Sequence, residues 1–333
     1  MKLQILMPHY KESFELIKPM LDSIELQQAI DFSDIGVIIC DDGPEAVDLT
    51  NSPFNDYSFK IDYYKSDEHK GVSATRNACL DKSKADYVMF ADCDDMFYAV
   101  NGLHIILSQI ENGGFETFIS VFIEQGVDPK TKDMMFYPRG SAQTGIDSTF
   151  VHGKVHNRKF LLRNNIRWNE SLTIHEDSYF NCLCQRLADP NKAIFCQMPF
   201  YLWKWNDNSV CRHDPKYILK TYNNMLDSNT ALVNQFLKRG RTQDAQFYCL
   251  GMIYDAYYTM NKDEWINQEN KQYRDATELR FKNYFLEFKN LFEQTTKEMK
   301  AQVSNSIRTR MVQEGMDMER VTFDQWINYV LQL

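Results

Sequence analysis

The sequence predicts an α/β domain with a mainly parallel sheet flanked by helices, followed by an all-α C-terminal module. Three observations carry that prediction. Short apolar β-rich runs alternate with helical patterns in the first part of the chain. All nine prolines lie at or before Pro215. Only three of the thirteen glycines, Gly240, Gly251 and Gly315, come later, so turn punctuation stops where long helical patterns begin. A boundary is expected near Pro215, giving domains 1–215 and 216–333.

Taken in order, LQILMP reads as a first strand, a helical pattern runs from about Ser13 to Gln28, and DIGVIIC is a second strand. A helix is expected around Ser73 to Ser83, then a buried strand at Tyr87 to Phe90 inside DYVMFAD. This alternation is Rossmann-like, and such sheets bind ligands at the carboxyl ends of their strands. Those ends carry Pro8-His9-Tyr10, Asp41-Asp42-Gly43 and Asp92-Cys93-Asp94-Asp95. Beyond Pro215, Phe281, Tyr284, Phe285, Phe288, Leu291, Phe292 and Met299 recur at helical spacing and predict one amphipathic helix.

Composition narrows the function. With 333 residues and 44% hydrophobic side chains, the chain can bury sizeable cores without staples. Its eight cysteines show no CxxC or zinc-finger spacing and read as reduced thiols of a cytoplasmic protein. The N-terminal apolar run stops at Pro8, too short for a signal segment. No stretch approaches the ~18 to 20 apolar residues of a membrane span, so any membrane contact is expected to be peripheral, at the inner face. The 37 basic and 46 acidic residues split 21 to 31 up to Pro215 and 16 to 15 beyond it. An acidic first part disfavours a nucleic-acid acceptor, without closing off a local basic groove, and suits a cleft that recruits a cation. A nicotinamide enzyme would need GxGxxG, a P-loop enzyme GxxxxGK[ST] and an acyl hydrolase GxSxG; none occurs.

The loop after Phe90 places three carboxylates within four residues, where repulsion is costly unless a cation or hydrogen-bond donors offset it. Hard oxygen ligands favour Mg²⁺ or Mn²⁺, either of which can join a carboxylate to a diphosphate. The alternative is an acidic turn that caps the following helix.

The segment HKGVSATRNACLDKSKADYVMFADCDDMF, His69 to Phe97, resembles the G-x-x-x-A-R-N segment and D-x-D motif of family 2 glycosyltransferases in order and spacing. Upstream, ILMPHYKE is similar to that family's P-x-Y-N opening strand and DIGVIICDDGP to its V-D-D-G-S strand end. Lys11 stands for the usual Asn and Pro44 for the usual Ser. Downstream, HGKVHNRKFLLRNNIRWNESLTIHEDSYF is similar to the block that ends in the family's catalytic acidic pair. The resemblance covers about residues 1–214 and leaves out the helical tail. It implies a GT-A fold, a nucleotide-diphosphate sugar donor (a UDP-sugar before others), inversion at the anomeric carbon, and Mn²⁺ or Mg²⁺ as cofactor.

Carried over by position, the resemblance gives Pro8 and Tyr10 the base pocket, Asp41 the nucleobase and Arg76 the nucleotide or diphosphate. Asp92 would hold the ribose or a metal-bound water, with Cys93 beside it and Asp94 on the metal. The donor half would span about 1–98 and the acceptor half about 99–215. Asp177 matches the family's general base, with Glu176 the second candidate, because inversion needs a carboxylate to take the acceptor's proton. The run Tyr201 to Trp205 resembles the strand after that pair, and the loop beyond it offers Arg212 to phosphate and His213 to the metal.

Each assignment has a structural alternative. Arg76 can simply pair with a neighbouring Asp, Asp41 can form a turn ahead of Gly43, and Glu176-Asp177 can cap a helix Ser178 to Leu187. The acceptor is open: a cell-surface glycan or polymer, another hydroxyl, or, for a phage-type enzyme, modified DNA. A catalytically degenerate nucleotide-sugar-binding or assembly protein is the other class, favoured by Lys11 and Pro44. The tail's apolar stripe can serve homo-oligomerisation or pack within its own module.

Overall fold

The computed structural model describes residues 1–128, 130–140, 150–206, 217–313 and 321–333. Its contacts divide it into two compact units, Met1–Ser209 and Val210–Leu333.

The first unit opens with β1 (Leu3–His9), α1 (Phe14–Glu25), β2 (Ile35–Asp41), β3 (Lys60–Tyr64), α2 (Val72–Lys82) and β4 (Tyr87–Phe90). β1 and β2 are almost wholly buried, as uninterrupted apolar runs in a parallel sheet must be. β1 pairs in parallel with β2 on one side and β4 on the other, and β2 with β3. The chain therefore moves outward from β1 to β3, then returns through α2 to the opposite side. That reversal opens a crevice above the carboxyl ends of β1 and β4.

The remaining elements are β5 (Met96–Phe97), α3 (Gly102–Glu111), β6 (Thr117–Ser120), β7 (Phe122–Val127), β8 (Met134–Arg139), β9 (Lys154–Asn157), α4 (Arg158–Arg163), α5 (Glu176–Leu187), β10 (Ala193–Cys196) and β11 (Tyr201–Trp203). The main sheet has the order β10-β6-β9-β4-β1-β2-β3, with β9 the antiparallel member. A second sheet, β5-β11-β7-β8, holds the acidic loop from the other side, because β5 follows that loop directly and pairs with β11. The α/β expectation is met.

The second unit is helical throughout its described residues: α6 (Tyr217–Lys238), α7 (Thr242–Met260), α8 (Asp263–Ile266), α9 (Lys271–Glu293), α10 (Lys297–Gln313) and α11 (Phe323–Gln332). The single helix expected through Met299 is two. Thr295 turns its hydroxyl back onto the Leu291 carbonyl, and the Thr296 hydroxyl accepts the Met299 N–H, so these threonines end one helix and start the next. Phe281, Tyr284, Phe285, Phe288 and Leu291 are buried within this unit, with Phe281 against Trp326. No helix among the described residues is long and apolar enough to cross a membrane.

Candidate active site

The crevice holds a cavity of about 270 Å³ whose walls include Pro8, Tyr10, Glu12, Asp42, Asp92 and Asp94. Asp42 ties its two sides together: one carboxylate oxygen accepts the N–H groups of Lys70 and Gly71, at 2.9 and 3.0 Å. Gly71 has φ +89° and caps α2, which explains the glycine that opens the motif. Gly43 has φ +97°, and a Cβ there would lie 2.7 Å from the His69 nitrogen. The Tyr10 ring stacks on His69 at 4.9 Å, leaving a flat aromatic wall of the kind a base can use. Asp41 ends β2. One of its oxygens lies 2.6 Å from His9 Nδ1 and the other accepts the Tyr63 hydroxyl at 2.6 Å.

The acidic loop separates its carboxylates by environment. Asp92 and Asp94 face the cavity, and Asp94 accepts the Asn206 amide at 2.8 Å. Burial, then the charge of Asp92, raises the Asp94 pKa above the ordinary aspartate value. Cys93 points inward and donates its thiol to the Pro8 carbonyl at 3.1 Å; burial keeps it a neutral thiol. Asp95 is 1% exposed, accepting the Tyr201 hydroxyl at 2.7 Å and the Lys204 N–H at 3.0 Å. Burial and the charges of Asp92 and Asp94 push its carboxyl well above its usual range. His152 Nδ1 lies 3.5 Å from Asp95, and its ring stacks on Tyr201 and Trp203. Asp92, Asp95 and His152 can bring one ligand atom each within 4.8 Å of the others. Two carboxylates and an imidazole form a donor set that suits Mn²⁺.

Arg76 joins this loop to the other candidate pair. Its buried guanidinium donates to Asp92 at 3.0 Å and to Glu176 at 2.9 Å, and lies 4.4 Å over the Trp168 ring. Trp168 is held in turn: Asn77 donates to its carbonyl and accepts its N–H, both at 3.0 Å, and donates to Glu170 at 2.8 Å. The adjacent Arg76 and Asn77 therefore have separate tasks, one spanning the site and one stapling the segment beneath it. α5 starts at Glu176, two residues earlier than the sequence suggests, with His175 in the left-handed region at its N-cap. Glu176 and Asp177 thus lie in the first helical turn, where the dipole favours negative charge. Burial, reinforced by Glu176, nevertheless pushes the Asp177 carboxyl up to about 7; Arg76, the Ser178 N–H and buried Lys154 pull the other way.

Pro8, Tyr10, Asp92, Cys93 and Asp94 thus meet at one cavity, whereas Asp41 lines a neighbouring one with Asn77, Asp42 being common to both. Arg76 meets Asp92 and Glu176, with Asp177 next in the chain. Arg212 and His213 lie outside the described residues. Asn206 and Glu12 were not singled out from the sequence, and His152 only as a remote candidate on the acceptor side. Asn206 and His152 reach the loop only through β11 and β9, far away in the chain, and Glu12 sits in a segment chosen for its Pro and Tyr.

The sequence model described as Glycosyl transferase family 2 matches residues 4–167. The chain carries a glycosyl transferase family 2 domain. No curated protein matches it. Among solved structures, the chain is similar to S. aureus TarS 1-349, with a TM-score of 0.63 and 14% identity over 94% of this chain and 92% of that one. The same protein in complex with UDP-GlcNAc gives 0.60 and 17% over 93% and 92%. The mannosyltransferase PcManGT from Pyrobaculum calidifontis, in complex with GDP-Man and Mn²⁺, gives 0.53 and 12% over 99% and 84%. At these identities the likeness shows the GT-A fold. Glu176 and Asp177 lie just beyond the matched family residues, where the fold rather than the motif brings them to the site.

Proposed function

We propose that the chain is an inverting glycosyltransferase that moves a sugar from a UDP-sugar to an acceptor hydroxyl, with Mn²⁺ or Mg²⁺ as cofactor. The observation that carries this is the Arg76 bridge: one buried guanidinium links the diphosphate side, Asp92, to the proton-accepting side, Glu176-Asp177. Residues 1–98 bind the donor in this scheme and 99–215 the acceptor. Tyr10 and Pro8 form the base wall, and Asp41 accepts from the base. Asp92 is the central carboxylate for a cation, with Asp94 beside it on the cavity and Asp95 and His152 within reach of it; Asp95 also anchors the loop to Tyr201. Bound there, a divalent cation neutralises charge on the leaving diphosphate. Asp177, held near 7, takes the acceptor's proton as the new bond forms. The UDP and UDP-GlcNAc complexes of TarS and the Mn²⁺ complex of PcManGT support the donor and metal classes. The acceptor we favour is a cell-surface glycan or polymer.

The test is donor hydrolysis and transfer across UDP-, GDP- and TDP-sugars, reading released nucleotide. UDP release that needs Mn²⁺ or Mg²⁺ is expected. Turnover untouched by EDTA would refute the metal, and release from GDP- or TDP-sugars alone would refute the UDP assignment.

A further inference from the structure

His9 ends β1 with its side chain fully buried, and both ring nitrogens face acceptors. Nδ1 lies 2.6 Å from an Asp41 oxygen, and Nε2 lies 2.8 Å from the Glu12 carbonyl. A carbonyl oxygen only accepts, so Nε2 carries a proton. The remaining bonds bear on the other nitrogen. The Tyr63 hydroxyl accepts the Leu49 N–H at 3.0 Å and so gives its own proton to the second oxygen of Asp41. Asp41 thus accepts at one oxygen, while its other oxygen shares a single proton with His9 Nδ1. A proton shared between imidazole and carboxyl rests on the imidazole, whose unperturbed pKa is higher by about 2.6.

We propose that His9 is an imidazolium, and that its buried ion pair with Asp41 positions the nucleobase wall of the donor site. The positioning half rests on the assignment of Asp41 to the nucleobase. The same ring fixes two parts of that wall. Through Asp41 it orients the carboxylate at the end of β2, and through the Glu12 carbonyl it holds the turn that carries Tyr10. The Tyr10 N–H is also tied to the Glu12 carboxylate, at 2.9 Å. The charge matters as well. Glu12, Asp42, Asp92 and Asp94 line the cavity, and pairing Asp41 with a cation removes one negative charge from a place that must accept a diphosphate.

The groups facing the ring are Asp41 from β2, with Tyr63 of β3 behind it, and Glu12, whose carboxylate is 4.0 Å from Nε2. Cys93, bonded to the Pro8 carbonyl next in the chain, stays a neutral thiol. Burial lowers the pKa of His9, but the Asp41 and Glu12 interactions outweigh it and raise the value above that of free imidazole. The raised value favours the cation, which is lost as pH rises through it.

The experiment has two arms on the full chain. In the first, ¹⁵N-histidine NMR at about pH 7.5, a unit above free imidazole, reads the ring, with His9→Gln assigning the signal. Two protonated ring nitrogens are expected, and a neutral ring with one proton overturns the ion pair. In the second, UDP with Mg²⁺ is titrated by calorimetry across neutral to alkaline pH. Wild-type affinity should fall by about 10-fold or more on the alkaline side, the worth of one charge-assisted hydrogen bond. His9→Gln should be weaker by a similar factor at neutral pH and flat with pH. A variant matching wild type in affinity and pH profile overturns the positioning role. Where His9→Gln misfolds, substituting the other six histidines in turn assigns the His9 signal by elimination, and that signal decides the ion pair. An imidazolium in a chain that binds no UDP leaves the ion pair standing and overturns the nucleotide assignment instead.

Discussion

Asp177 carries its carboxyl in the first turn of α5, and burial beside Glu176 pushes it up to about 7, so its charge changes within the working pH range. A general base acts only when deprotonated, which fixes the sign: kcat should fall as pH drops through about 7, tenfold per unit below it. Asp177→Asn should remove this acid limb and lower kcat by roughly 10² to 10⁴ while the circular dichroism stays that of the wild type. Near-wild-type turnover would remove Asp177 from the mechanism. Arg76 gives a different readout, because it neutralises two carboxylates at once. Arg76→Ala should destabilise the protein by about 3 kcal/mol in urea unfolding, since it leaves Asp92 and Glu176 partly buried and unpaired. A loss below about 1 kcal/mol would make the bridge an ordinary surface pair.

At the scale of elements, the site depends on how strand ends and helix starts are held. Gly43→Ala places a Cβ 2.7 Å from backbone at a φ of +97°, and should cost about 1 to 3 kcal/mol and weaken nucleotide binding. Chemical denaturation and UDP titration check both; an unchanged denaturation midpoint would mean that the turn relaxes freely. The strands around the crevice were legible from sequence because buried parallel strands are unbroken apolar runs. The start of α5 was not. Its N-cap is His175 in the left-handed region, and helix-start signals are Ser, Thr, Asp or Asn. The break between α9 and α10 was also hidden, because apolar spacing continues across Thr295-Thr296 while their hydroxyls end the helix. The second sheet left little trace, since β5 and β11 have two and three residues and no period can be read from so few.

For the whole molecule, donor and cation should bind as one unit. UDP with Mn²⁺ at about 100 times its dissociation constant should add about 2.7 kcal/mol of stability, seen as a rise in melting temperature. EDTA or Asp94→Asn should remove most of that gain; a full UDP shift without metal would separate nucleotide from cation. The sequence by itself determined the class of fold, the strands β1, β2 and β4 and the carboxylates at their ends, because burial and strand termini leave local patterns of apolar and acidic residues. Only the tertiary structure decided which carboxylates face the cavity, that Arg76 links Asp92 to Glu176, and that His9 meets Asp41 across two strands. Those depend on distances between residues up to 100 positions apart and on the burial that sets their charge, neither of which any local window contains.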